Sequence, residues 1–146
     1  MTPAEHGCVV IVGTVGVLIR GASGAGKSTL ALDLVDLART RGLNAALVAD
    51  DRVHLQAAGG RLVARAPAAI AGLVEERGRG ILAASHEPAA VVRHVIDLVP
   101  EGPERLPEPA ALRAVVAGVP VRATTLRALD PRAALAAFRA VTDATA

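Results

Sequence analysis

The sequence predicts an α/β fold around a mixed central sheet. Three observations carry that expectation: short apolar runs rich in β-branched residues recur along the chain, one stretch has helical periodicity, and a glycine-rich loop joins the first kind of segment to the second. At 146 residues the chain has the size of one ordinary domain, and without an internal repeat or linker it is read as a single domain over 1–146.

Taken in order, Cys8-Val9-Val10-Ile11-Val12 and Val15-Gly16-Val17-Leu18-Ile19 flank Gly13-Thr14 and predict a hairpin. The second run leads into the glycine loop. From Lys27 to Arg41 the residues Leu30, Leu34, Leu37 and Ala38 recur at helical spacing, and Gly42 supplies a stop. Ala45 to Ala49 is short and wholly apolar, as a strand buried on both faces should be, and it ends abruptly at Asp50-Asp51. Arg52 to Gln56 and Arg61 to Arg65 alternate polar with apolar about Gly59-Gly60, which predicts a second hairpin. Ala68 to Glu76 reads as a helix terminated by Gly78 and Gly80. Val91 to Val99 is the last long apolar run, and the prolines from Pro100 to Pro109 then break regular structure into an extended loop. Val115 to Val121 predicts one more strand. Asp130-Pro131 offers an N-cap and a first-turn proline for a closing helix through Val141.

Composition excludes several classes. With 52% hydrophobic and 21% charged residues the chain is neither disordered nor fibrous. The longest apolar run, Cys8 to Ile19, is interrupted by Gly13, Thr14 and Gly16 and is shorter than the roughly 18–20 residues of a membrane-spanning helix. The first residues lack a secretory signal and a single cysteine cannot form an internal disulfide, so a cytoplasmic location without membrane attachment is expected. A net charge of +2 and one aromatic residue, Phe138, argue against nucleic-acid binding through a basic face or stacked bases. An adenine ring would have to be held by aliphatic walls.

The segment Gly21-Ala22-Ser23-Gly24-Ala25-Gly26-Lys27-Ser28 fits the P-loop pattern G-x-x-x-x-G-K-[ST] at every fixed position, between a predicted strand and a predicted helix. Backbone N–H groups of such a loop, with Thr29 just inside the helix, surround phosphates. Lys27 neutralises phosphate oxygens and the Ser28 hydroxyl can ligate Mg²⁺, which makes ATP and Mg²⁺ the expected cofactors. Asp50 and Asp51 end a buried strand, where an acid reaches the metal or an attacking group. Two adjacent acids there can divide the roles of metal partner and proton acceptor. His54, His86 and His94 have no metal-ligand spacing with one another or with Cys8.

Four segments, His6-Gly7, Gly21 to Ser28, Ala49-Asp50-Asp51-Arg52-Val53 and Glu75-Glu76-Arg77-Gly78-Arg79-Gly80-Ile81, occur in the order and approximate spacing of the catalytic C-terminal domain of the HPr kinase/phosphorylase family, which the chain resembles. The resemblance implies a P-loop kinase domain similar to phosphoenolpyruvate carboxykinase, a serine kinase acting on an HPr-like phosphocarrier protein, a role in phosphotransferase-system regulation, and a homo-oligomer, in that family a hexamer. It makes Lys27 the phosphate-binding lysine, Ser28 and Glu75 Mg²⁺ ligands with Arg77 in support, and the Asp50-Asp51 pair the acid/base site, with Asp50 favoured as the base. His6 then sits near the reacting phosphate. Glu104-Arg105-Leu106 looks like the family's D-R-L segment, which makes Arg105 a candidate for stabilising charge on the transferring group.

Departures from the family pattern carry their own expectations. The chain starts just before His6, as a form without the family's N-terminal domain, and it is several residues longer between Lys27 and Asp50. After Val119-Pro120-Val121 it lacks the Pro-x-x-Gly-Arg type segment associated with dephosphorylation, which argues against phosphorylase activity. Two other functions fit a P-loop alone: a kinase of a small metabolite, and a nucleotide-binding regulatory module without catalysis. The pair Asp50-Asp51 and Glu75 favour catalysis.

Overall fold

The computed structural model describes residues 3–76, 78–83 and 86–143. After a short strand β1 (Ala4–His6), the first two apolar runs form the expected antiparallel hairpin, β2 (Cys8–Val12) and β3 (Val15–Gly21). Helix α1 spans Lys27–Thr40 and turns Leu30, Leu34 and Ala38, spaced four apart, onto the sheet. Leu34 is fully buried there, a site where truncation to alanine costs about 3 kcal/mol. The helix stops at Gly42, where Leu43 N–H donates to Ala38 O at 3.0 Å.

Strand β4 (Ala45–Ala49) is buried along its whole length, and β5 (Arg52–Ala58) and β6 (Arg61–Arg65) form the second hairpin. The expected helix over Ala68 to Glu76 does not form. Ala68–Ile70 makes a single 3-10 turn, and β7 (Leu73–Glu76) pairs antiparallel with β8 (Gly80–Ala83) as a separate two-stranded ribbon. Gly72 explains the break. Its φ is 77° and a Cβ there would lie 2.6 Å from the His86 ring, so the chain turns sharply where a helix would have to continue.

Strand β9 (Ala90–Val99) is the centre of the sheet. One edge pairs in parallel with β3, and the other edge is shared: Ala90–Val92 pairs with β6, while His94–Val99 pairs in parallel with β11 (Val119–Arg127). The expected single strand over Val115 to Val121 is instead a hairpin of β10 (Arg113–Val116) and β11, turned at Ala117 and Gly118, both at positive φ. The chain closes with α2 (Ala133–Asp143), for which Asp130 Oδ1 accepts from Arg132 N–H at 2.9 Å.

The main sheet is mixed and runs β1-β5-β6-β9-β3-β2-β4, with β11 and β10 branching from β9. Its two faces bury two cores. Both helices cover one face, where Val10, Val17, Ile19 and Ile96 meet Leu30, Leu34, Phe138 and Val141. The other face curls on itself, so that Val9, Leu18 and Val48 pack against Val53, Leu55, Leu62 and Val95. Among the described residues no helix is long and apolar enough to cross a membrane.

Candidate functional site

Strand β3 delivers the glycine loop to the N-terminus of α1, and the loop's shape follows from two residues in the left-handed region, Gly24 at φ 83° and Gly26 at φ 94°. Gly26 is the N-cap of α1 and the first turn carries no acid, so the positive end of the helix dipole and its unpaired N–H groups face the loop. The side of Gly26 is closed as well, because a Cβ there would meet Leu129 Cδ2 at 3.3 Å. Leu129 is pinned over the loop by its own N–H, which donates to Ala25 O at 3.2 Å.

Lys27 is buried and its Nζ donates to Gly21 O at 2.9 Å and Ala22 O at 3.1 Å, which holds the ammonium inside the loop's curve. Next to it Ser28 Oγ donates to Asp50 Oδ1 at 2.6 Å. Asp50 is 6% exposed and is the knot of the site. The same Oδ1 accepts from Cys8 Sγ at 3.2 Å, and Oδ2 accepts from Glu75 N–H at 3.0 Å, so one carboxylate ties β2, α1, the end of β4 and β7 together. Burial pushes the Cys8 thiol up to about 12, which keeps it protonated and able to donate.

Asp51 behaves differently although it is the next residue. Its φ of 67° throws the chain into a tight turn, Arg52 N–H donating to Asp50 O at 2.8 Å, and its side chain is exposed. A cavity of about 530 Å³ opens in front of the loop. Ser23, Gly24, Lys27, Ser28, Thr29, Asp51 and Glu75 line it, with Glu76, Gly78, Gly80 and Leu129. A smaller one of about 180 Å³ adjoins it, walled by Leu30, Leu98, Leu129, Pro131 and Ala134. Asp33 on its rim is pushed up, first by burial and then by Asp36 and Glu76.

Loop, Asp51 and Glu75 therefore converge, with Asp50 beneath them. Glu75 does so from a strand: the alternation Leu73, Val74, Glu75 turns Val74 into the core and Glu75 outward. His6 is exposed at the end of β1, opposite Arg52, and the following Gly7 N–H donates to Asp51 O at 2.9 Å, so it borders the site without lining the cavity. Arg105 lies exposed in the loop after Pro100 and does not line the cavity either. Arg77 lies outside the described residues. Sequence reasoning missed Cys8 as a donor to Asp50, and Leu129 as a cover. Leu129 gives no local signal. Cys8 gives a weak one, as the single thiol in a run otherwise made of valine and isoleucine, two residues after His6.

Comparison with known proteins places the chain among relatives of one family. Residues 1–90 match the family described as HPr Serine kinase C-terminal domain. A protein named HPr kinase/phosphorylase from Exiguobacterium sibiricum is 50% identical over 82 residues, 56% of this chain and 24% of that protein. One of the same name from Clostridium beijerinckii is 43% identical over 77 residues, 53% of this chain and 24% of that protein. These matches thus span about a quarter of each relative. A solved structure titled as the Hpr(Ser) kinase/phosphatase from Coxiella burnetii superposes with a TM-score of 0.77 at 25% identity, covering 98% of this chain and 96% of that one.

Proposed function

The chain belongs to the HPr serine kinase C-terminal domain family, and on that premise we propose that it is an ATP- and Mg²⁺-dependent serine kinase whose substrate is an HPr-like phosphocarrier protein. The observation that carries the reading is the convergence of Lys27, Ser28, Asp51 and Glu75 on one cavity in front of a helix N-terminus. Residues 1–146 then form one P-loop kinase catalytic domain, related in fold to phosphoenolpyruvate carboxykinase and working in the cytoplasm as a homo-oligomer.

The residues fit the cofactors. Mg²⁺ takes oxygen ligands and is held by one or two protein groups together with phosphates. Ser28 Oγ directs its proton to Asp50, which leaves its lone pairs for the metal, and Glu75 adds a carboxylate on the same cavity. When bound, Mg²⁺ would neutralise charge on the transferring phosphoryl group. The adjoining aliphatic pocket at Leu30, Leu98 and Leu129 suits an adenine ring.

Of the two aspartates, the base in this proposal is Asp51. Both carboxylate oxygens of Asp50 accept bonds from within the fold, and it positions Ser28 and Glu75. Asp51 lines the cavity and accepts the proton of the substrate serine as the serine oxygen bonds to the γ-phosphorus and the bond from that phosphorus to the β–γ bridging oxygen breaks, releasing ADP, while Lys27 and the loop N–H groups offset charge on the phosphate oxygens. His6 borders this region as a candidate donor to phosphate. Arg105 would join only if its loop folds over the cavity.

The test mixes the protein with ATP, Mg²⁺ and an HPr-like carrier and seeks phosphoserine by mass spectrometry. No modification while nucleotide binding is intact would overturn the reading, and transfer of the phosphoryl group from the phosphorylated carrier to inorganic phosphate, forming pyrophosphate, is not expected.

A further inference from the structure

Leu129 stands in a conformation that its own residue type disfavours. The turn between β11 and α2 closes with Asp130 N–H donating to Arg127 O at 3.4 Å, and Leu129, the residue before Asp130, has a φ of 60°. Such a turn calls for glycine or asparagine at that place, because an L side chain there crowds the following carbonyl. The surroundings hold it nonetheless. Ala128 N–H donates to Val99 O at 2.8 Å, Leu129 N–H to Ala25 O at 3.2 Å, and Arg127 pairs with Asp130 at 3.6 Å.

Burial repays little of this strain. The Leu129 side chain is 70% exposed, while its neighbours Leu126 and Ala128 pack against the helix-side core. Strain that folding does not repay points to what the side chain meets when a ligand binds. The position of Leu129 identifies that ligand. Among the described residues only Gly26, Thr29 and Leu129 line both the cavity in front of the glycine loop and the smaller aliphatic one beside it. Gly26 and Thr29 form one side of the passage, at the start of α1, and Leu129 forms the other. A molecule that fills both cavities must run between them.

We infer that Leu129 is a nucleotide-binding residue whose side chain closes over the nucleoside of ATP, between the phosphates at the glycine loop and the base in the aliphatic pocket, and that its left-handed backbone is retained for this placement. The inference rests on the reading of the larger cavity as an ATP site. Apolar contact with sugar carbons and with the face of a base gives affinity without reading the base's edge. It also stands in for an aromatic stacking partner, since the chain's one aromatic residue, Phe138, is buried in the helix-side core.

Calorimetric titrations with Mg²⁺ present compare ATP, GTP and inorganic tripolyphosphate, the last carrying phosphates without a nucleoside. The proteins are wild type, Leu129→Gly, Leu129→Ala and Leu129→Met, each also melted without ligand. Removing the side chain is expected to weaken ATP and GTP alike by about tenfold, which corresponds to about 55 Å² of apolar surface withdrawn from water, and to leave tripolyphosphate within about twofold. Leu129→Met, of similar volume, should bind ATP within about threefold of wild type. Leu129→Gly should melt no lower than wild type, because glycine takes this φ without crowding, whereas Leu129→Ala keeps the strain and melts below Leu129→Gly. A merely structural leucine would show the reverse, a lower melt in Leu129→Gly with all three ligands weakened together. Unchanged ATP affinity in Leu129→Gly and Leu129→Ala, a loss as large for tripolyphosphate, or a raised KM for the carrier alone would each overturn the inference while the ATP site stands. If wild type binds neither ATP nor tripolyphosphate, the reading of the ATP site falls, and the inference with it.

Discussion

The two walls of the cavity in front of the glycine loop are built in opposite ways. On the inner wall Lys27, Ser28 and Asp50 are locked by bonds of 2.6 to 3.2 Å to the loop, to one another and to Cys8. On the outer wall Glu75 is held by its backbone, through its N–H to Asp50 and the β7–β8 pairing, with no side-chain bond among those described, Glu76 pairs with Arg79 at the surface, and Ile81 is exposed. On the function proposed above, the difference matches two tasks. Phosphate chemistry needs fixed dipoles and charges, because preorganisation is what electrostatic stabilisation depends on. An edge that admits a protein serine needs room and adaptable contacts. Asp51 stands where the walls meet.

Removing the acid where the walls meet should have the largest effect. Asp51→Asn keeps the shape and removes the proton acceptor, so kcat is expected to fall about 10³-fold with little change in ATP affinity. Measurement is steady-state phosphorylation of an HPr-like carrier beside nucleotide titration. If Asp50→Asn instead abolished kcat with Asp51→Asn nearly active, the division of roles between the two would be reversed. The outer wall should lose less: Glu75→Gln is expected to weaken Mg²⁺ binding about 10- to 100-fold, with much of the rate recovered at high Mg²⁺.

How far the sequence reached follows the same division. Both early hairpins, α1 and β4 were legible because each segment's periodicity of burial lies within itself. Leu73–Glu76 was not: four residues are too few to separate the two periods, and the partner that makes it a strand lies beyond the turn at Gly78. The turn at Ala117-Gly118 was likewise hidden, since Ala117 at φ 49° is no turn signal in sequence. For the site, the glycine loop and Asp50-Asp51 announce themselves locally. The separation of those two aspartates into a tied one and a free one depends on Cys8, Ser28 and Glu75, which only folding brings together.

Arg105 sharpens the comparison, since it lies outside both walls. If the loop after Pro100 closes over the cavity during transfer, Arg105→Ala lowers kcat about 10²-fold and leaves ATP binding to the resting protein unchanged. A change below about twofold would mark it as a solvated loop arginine.

The smallest effect is expected beneath the inner wall, at Cys8. Cys8→Val keeps the volume and removes one of three donors to Asp50, while Ser28 Oγ and Glu75 N–H remain, so kcat/KM should fall less than about tenfold. The informative readout is alkaline stability. The thiol is raised in the fold from 9.0 to about 12, so the folded protein binds the proton more tightly than the unfolded chain does. Its contribution to stability is therefore complete below pH 9 and declines as pH rises from there toward 12. Thermal melts of the wild type between about pH 8 and 10 should slope downward more steeply than those of Cys8→Val. Equal slopes would mean that the thiol ionises as easily in the fold as outside it, and that Asp50 is held by Ser28 and Glu75 without a proton from Cys8.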